Sequence, residues 1–196
     1  MYQYEDIHLE IPPQVFHPGF FFSTRLLLNY IKQIPLKGKN FLEPGCGSGL
    51  ISIFAAKQGA KVIATDINPV ATDFLKKNSR KNNASVTIIQ SDLFQNIPRQ
   101  QFDIIAINPP YYKKQPKVEK DFAWNCGENG EFFTNLFEQL NDYIHADTQV
   151  IMVLFQGCDM KMINESADEH GFLLSCVQSK QNLLERNFIY KIEHKQ

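Results

Sequence analysis

Short apolar runs alternate with helical patterns along this chain, and each run stops at a polar residue or a glycine turn. KNFLE (39–43), KVIAT (61–65), SVTIIQ (85–90) and FDIIAI (102–107) read as buried strands. Glu43 with its glycines, Asp66, Ser91-Asp92 and Asn108-Pro109-Pro110 close them in turn. Between them, LISIFAAKQ (50–58), ended by Gly59, and a stretch from Asn68-Pro69 to about Asn82 read as helices, since proline suits the first helical position. This alternation predicts an α/β fold with a mainly parallel sheet and helices on both faces. Ligands of such sheets bind at the carboxyl ends of the strands, so four polar closures in a row mark a site.

The flanks extend the pattern. FFSTRLLLNYIKQI (21–34) has helical spacing and stops at Pro35. An irregular stretch over about 111–128 carries Lys113, Lys114, Lys117 and Lys120, and a helix is predicted from about Glu131 to His145. QVIMVLF (149–155) reads as a strand, 159–169 as a helix ended by Gly171, and 172–178 and 187–193 as an antiparallel strand pair. No repeat or Gly/Ser linker interrupts the chain, so residues 1–196 are expected to form a single domain, with an N-terminal segment and helix over 1–35 and the core over 36–196.

Composition excludes several classes. At 43% hydrophobic and 21% charged, the chain is not a disordered one. Twenty basic against twenty-one acidic residues exclude a general polyanion binder, so any nucleic-acid contact needs a local patch. No apolar run approaches the roughly 18 residues of a membrane span. The polar, acidic start MYQYEDIHLE fits neither a secretory signal nor a transit peptide. Cys46, Cys126, Cys158 and Cys176 lie far apart, as reduced thiols of a cytoplasmic protein would. The five histidines are equally scattered, so no metal is expected.

Glu43-Pro44-Gly45-Cys46-Gly47-Ser48-Gly49 joins the first core strand to its helix. Glycine tolerates positive φ and lets a ligand press against the backbone, while the helix start offers free N–H groups. A dinucleotide fingerprint would need glycine at 50 or 52, where Leu50 and Ser52 stand, and no Lys-Ser/Thr pair makes a P-loop. A close-contact turn for another nucleoside remains. Asp66 can accept from both hydroxyls of a ribose, and Asp92 from an exocyclic amine. In Asn108-Pro109-Pro110-Tyr111 the prolines hold their predecessors extended and give no N–H to the sheet. The Asn108 side-chain carbonyl and the Pro109 backbone carbonyl can then accept both N–H bonds of an amide or aryl amine, with Tyr111 stacked on the planar group.

At these residues the chain resembles the class I S-adenosylmethionine-dependent methyltransferases, whose acid and G-x-G-x-G motif is matched by Glu43, Gly45, Gly47 and Gly49. The resemblance implies a Rossmann-like, mainly parallel seven-stranded sheet with an antiparallel final strand, and S-adenosylmethionine as cofactor. It also implies that Glu43 and the glycines hold the methionine end, Asp66 the ribose, Ile67 the adenine face, and Asp92 and Leu93 the adenine edge. Asn108-Pro109-Pro110-Tyr111 would mark an enzyme acting on a planar nitrogen.

A second resemblance is to the HemK-type release-factor glutamine methyltransferases. Ala123-Trp124-Asn125-Cys126-Gly127-Glu128-Asn129-Gly130 is similar to their W-x-G-G-x-N-G segment, with Cys126 in place of the first glycine. Their P-x-x-x-T-x-L-L-L is matched by Leu26, Leu27 and Leu28, with Pro18 and Thr24 two residues further apart, which implies that Thr24 touches the cofactor. The bacterial members carry a helical N-terminal domain that grips the release factor, and about 20 residues precede the first helix here. A separate small partner subunit or a different substrate is therefore implied. Three functions stay open: a protein glutamine N-methyltransferase, a tRNA or rRNA base N-methyltransferase using the lysine-rich stretch, and a non-catalytic cofactor-binding subunit.

Overall fold

A computed structural model of the chain describes residues 1–183 and 185–195. Its elements are β1 (Tyr2–Tyr4), β2 (Ile7–Leu9), α1 (Phe22–Ile31), β3 (Asn40–Pro44), α2 (Leu50–Lys57), β4 (Lys61–Asp66) and α3 (Pro69–Lys81). They continue with β5 (Val86–Gln90), β6 (Phe102–Ile107), α4 (Glu131–Leu140), β7 (Ile144–Phe155), α5 (Met160–Glu169), β8 (Phe172–Gln181) and β9 (Arg186–His194). Seven strands form one sheet in the order β5-β4-β3-β6-β7-β9-β8, with β3 to β7 parallel and β9 antiparallel to both β7 and β8. This is the mainly parallel α/β sheet with a reversed final strand that the sequence predicts.

The chain moves outward from β3 through β4 to β5, then returns to the other side of β3 as β6. The reversal opens a crevice at the carboxyl ends of β3 and β6, where Glu43 and Asn108 stand. Two cores flank the sheet. Leu26, Leu27 and Ile31 of α1 pack with Ile51 and Ile53 of α2 and Leu75 of α3 on one face. Phe133, Leu136, Phe137 and Leu140 of α4 pack with Ile163 and Ala167 of α5 on the other. Each of those four α4 side chains, at helical spacing and fully buried, stabilises the fold by about 1.5–3 kcal/mol.

Several boundaries move for local reasons. α1 ends at Ile31, and the next residues turn in tighter i→i+3 bonds (Gln33 N to Tyr30 O, 3.1 Å; Ile34 N to Ile31 O, 3.0 Å), because the residue before Pro35 is kept out of helix. The helix predicted to His145 stops at Leu140 and gives way to a 3₁₀ turn over Asn141–Tyr143. Tyr143 stacks on Phe94 at 4.8 Å and donates to the carbonyls of Ile97 (3.0 Å) and Phe94 (3.2 Å), which draws the chain out of the helix. β7 therefore starts at Ile144, five residues ahead of the predicted strand. The irregular stretch after Pro110 contains a 3₁₀ turn over Glu119–Ala123.

The N-terminal hairpin of β1 and β2 escapes the periodicity argument altogether. Its backbone is held by two buried asparagines four residues apart, Asn78 on α3 and Asn82 at its C-cap. The Asn82 amide exchanges bonds with His8 N and O, both at 2.8 Å, and the Asn78 amide with Glu10 N (2.8 Å) and O (3.1 Å). An i,i+4 pair on the helix thus serves residues i and i+2 of an extended strand, as a neighbouring strand would.

Candidate active site

The glycine turn leaves β3 and enters α2 through three left-handed positions, with φ of 69° at Gly45, 51° at Gly47 and 80° at Gly49. Gly49 has a second reason to be glycine: a Cβ there would lie 2.1 Å from Leu75 Cδ1. Glu43 is buried at the end of β3, where its Oε2 accepts from Ser52 N at 2.8 Å and from the Ser52 hydroxyl. It thereby occupies a free N–H of the first turn of α2. Burial outweighs these two bonds and pushes its carboxyl up to about 8.

The next two strand ends carry further acids. Asp66 accepts from Gly47 N at 2.8 Å on Oδ2 and from Asn68 N at 2.9 Å on Oδ1, leaving lone pairs on both oxygens. Burial raises its carboxyl above the usual range despite those two donors. Asp92 follows β5 and is also raised by burial. Leu93 beside it is buried at φ 47°, a left-handed conformation that strains a residue with a side chain, and the Thr65 hydroxyl donates to its carbonyl at 3.3 Å. Strain of this kind persists where a surrounding site over-determines the backbone.

Asn108, Pro109 and Pro110 leave β6 into the same crevice. The Asn108 amide is held at both ends: Nδ2 donates to Thr24 Oγ1 at 3.2 Å, and Oδ1 accepts from the Tyr111 hydroxyl. Thr24, implied as a cofactor contact, lines the crevice and accepts from Asn108, and one expectation changes here. Tyr111, expected to stack on substrate, instead sets its ring edge-on to Phe155 at 5.0 Å and turns its hydroxyl to Asn108. Burial raises its phenol well above the ordinary value.

The segment after Tyr111 is closed at its neck. Tyr111 N and Tyr112 N both donate to Trp124 O, at 2.9 and 2.7 Å, and Cys126 N donates to Tyr112 O at 2.9 Å. Trp124 packs the loop down, with its ring 5.1 Å from Phe16 and 4.9 Å from Phe21. Cys126 needs no glycine conformation, whereas Gly127 does: its φ is 93° and a Cβ would collide with the Glu131 carboxylate at 1.7 Å. Of the lysines, Lys113 pairs with Asp159 at 3.1 Å, while Lys114 and Lys117 are exposed without an ion pair among the described residues. The Lys120 side chain lies outside the described residues.

These elements enclose one cavity of about 300 Å³, within the range of small-molecule sites. It brings together Thr24, Glu43, Gly45, Gly47, Asp66, Ile67, Asp92, Leu93, Asn108, Pro109 and Pro110; Gly49 and Tyr111 stand behind the wall. Sequence reasoning missed the wall formed by Gln14, Val15, Phe16 and Pro18, and the far lobe formed by Asn125, Glu131 and Asn135. Among the described residues, the lining holds four carboxylates (Glu43, Asp66, Asp92, Glu131) and no Lys, Arg or His. No group of three or more His, Cys, Asp or Glu side chains among the described residues could hold a metal ion.

A glycine turn, acids at successive strand ends and an Asn-Pro-Pro after the fourth define the site of an S-adenosylmethionine-dependent methyltransferase. The cofactor fits the chemistry of this lining: the carboxylates suit its sulfonium and ammonium cations, and glycine backbone admits close approach. Residues 9–140 match the family model described as the methyltransferase small domain, and the chain belongs to that family. It is 37% identical over 146 residues to a protein of Methanocaldococcus jannaschii provisionally named a protein N5-glutamine methyltransferase, covering 71% of this chain and 72% of that one. It also matches ribosomal protein L11 methyltransferases of Thermosipho africanus and Thermotoga maritima, of which it spans 37% and 54%.

Among solved structures, Mtq2 of E. cuniculi, crystallised with Trm112 in the complex responsible for methylation of the eRF1 translation termination factor, superposes with a TM-score of 0.69. It is 18% identical, and the match covers 93% of this chain and 99% of that one. The 16S rRNA N2 G1207 methyltransferase of T. thermophilus, in complex with AdoMet and guanosine, gives 0.65 at 16% identity, over 94% of this chain and 47% of that one. The fold is thus Rossmann-like, and membership of the methyltransferase family makes S-adenosylmethionine the cofactor.

Proposed function

We propose that the chain methylates the side-chain nitrogen of a protein glutamine. In this reading Asn108 Oδ1, through its remaining lone pair, and the Pro109 carbonyl accept the two N–H bonds of the amide. That grip turns the nitrogen lone pair out of conjugation and toward the donor. The cofactor, when bound, supplies an electrophilic methyl carbon on a cationic sulfur. Held so, the nitrogen would bond to that carbon as the carbon–sulfur bond broke, with its electron pair left on sulfur. A nitrogen proton then leaves to solvent, so the site needs positioning rather than a strong base. Glu43 and the turn through Gly45, Gly47 and Gly49 would hold the methionine end, Asp66 the ribose hydroxyls, Ile67 the adenine face, and Asp92 with Leu93 its edge.

The observation that carries the reading is that Asn108 and Pro109 line a cavity with no Lys, Arg or His among the described residues, which suits an uncharged amide and offers nothing to phosphate. The Methanocaldococcus jannaschii relative supports the same substrate class, and the Mtq2–Trm112 neighbour supports a termination factor as substrate and a small partner subunit. Four free thiols, three of them buried, support a cytoplasmic setting.

A second reading, a tRNA or rRNA base, draws on the exposed Lys114 and Lys117, without an ion pair among the described residues, beside the exposed Tyr112 and Phe122. Transfer of labelled methyl groups to whole-cell extract separates the two. Label that survives ribonuclease, is lost to protease and leaves as methylamine on acid hydrolysis fits a glutamine amide. Label lost to ribonuclease alone would replace it with the base reading.

A further inference from the structure

The Asn108 carboxamide has two nearly isosteric faces, and only one of them serves the reaction. With its carbonyl toward the substrate it accepts an N–H; rotated by half a turn, it would oppose one NH2 group with another. Something must therefore fix that rotation. We propose that Tyr111 and Thr24 are positioning residues that set the Asn108 amide with its carbonyl available to the substrate nitrogen. The proposal rests on the reading above that Asn108 grips an N–H bond, and it holds for a glutamine amide or a base amine alike.

Three observations carry it. Both ends of the amide are occupied, Nδ2 by Thr24 Oγ1 at 3.2 Å and Oδ1 by the Tyr111 hydroxyl. The two hydroxyls differ chemically: a phenol is the stronger donor and the weaker acceptor, so it prefers the carbonyl end and leaves the amino end to the threonine. Both partners are themselves immobilised. Thr24 is buried on α1, and the Tyr111 ring is fixed by Phe155 at 5.0 Å while its backbone N–H donates to Trp124 O at 2.9 Å. The phenol takes one lone pair of Oδ1, and the other stays free for the substrate.

The test uses Tyr111→Phe, Thr24→Val and Thr24→Ser in the full chain, with the fraction of cell extract that accepts label as substrate. Tyr111→Phe keeps the ring on Phe155 and removes only the donor. It and Thr24→Val should each lower kcat about ten- to a hundredfold, the scale of a small misplacement in a positioned reaction. Cofactor Kd by calorimetry should stay within about twofold, because the proposal gives both hydroxyls to Asn108. Thr24→Ser should restore kcat to within about threefold, and the double variant should lose little more than the worse single one, since both act through one amide. An unchanged kcat in Tyr111→Phe overturns the proposal, whether or not Thr24→Val folds. So does a Thr24→Val that weakens cofactor binding more than about tenfold with kcat intact, which makes Thr24 the cofactor contact the motif implied. Because calorimetry needs no methyl acceptor and the rate is taken on whichever macromolecule accepts label, failure here is read separately from failure of the glutamine assignment.

Discussion

Glu43→Gln tests the electrostatics of the cofactor-free protein. Glu43 is buried without a cation, and burial lifts its carboxyl from an ordinary 4.5 to about 8. Between those values the folded chain holds a proton that the unfolded chain has released, so stability falls as pH rises through that window. A tenfold change in proton affinity corresponds to about 1.4 kcal/mol, so the loss relative to pH 4.5 is about 3 kcal/mol at pH 7 and about 5 kcal/mol above pH 8. Glutamine keeps the shape and an acceptor for Ser52 N but cannot ionise. Measured as thermal unfolding without cofactor, the variant should match the parent near pH 5 and exceed it by about 6–12 °C at pH 7 for a chain of this length. Calorimetry should show the opposite order for S-adenosylmethionine, with the variant weaker by about 1.5–3 kcal/mol through loss of a charged partner. A difference in unfolding temperature that stays flat from pH 5 to 9 would show that Glu43 is ionised in the cofactor-free protein and refute the reasoning.

Three other perturbations probe separate parts of the site. Asn108→Ala should abolish turnover while calorimetry finds cofactor affinity within about threefold of the parent; equal loss of both would make Asn108 a structural residue. Gly49→Ala forces a Cβ against Leu75 at a φ of 80° and should cost about 2–4 kcal/mol in denaturant unfolding, with Leu75→Ala failing to rescue the backbone part. Asn82→Ala leaves His8 N and O unpaired and should cost about 1–3 kcal/mol, with faster hydrogen exchange over residues 2–10 than over α3.

The strand ends were legible because each apolar run is long enough to declare itself and each closes at a polar residue. That reasoning located Glu43, Asp66, Asp92 and Asn108 in one crevice from sequence alone. It failed where partners are distant in sequence. The β1–β2 hairpin has three residues per strand, too few for periodicity, and its hydrogen-bond partners are Asn78 and Asn82, roughly seventy positions away. Gln14 to Pro18 are likewise held by distant partners, with Asn68 Nδ2 donating to Gln14 O at 3.1 Å and Phe16 packed on Trp124 at 5.1 Å. Motif matching carried Thr24 to the cavity wall, but not to Asn108, whose amide it also meets, since alignment records position and not hydrogen-bond partners. Tyr111 shows the same limit: the residue after two prolines was located, but the pull of Phe155 and Asn108 on its side chain was invisible.

The carboxylates of the cavity connect the fold to the choice of ligand. Burial raises Glu43, Asp66 and Asp92, with the Asp66 charge adding to it at Glu43, and the donors to Glu43 and Asp66 only partly offset it. A site built this way is destabilising until a cation arrives, so a positively charged ligand gains from relieving the penalty as well as from its own contacts.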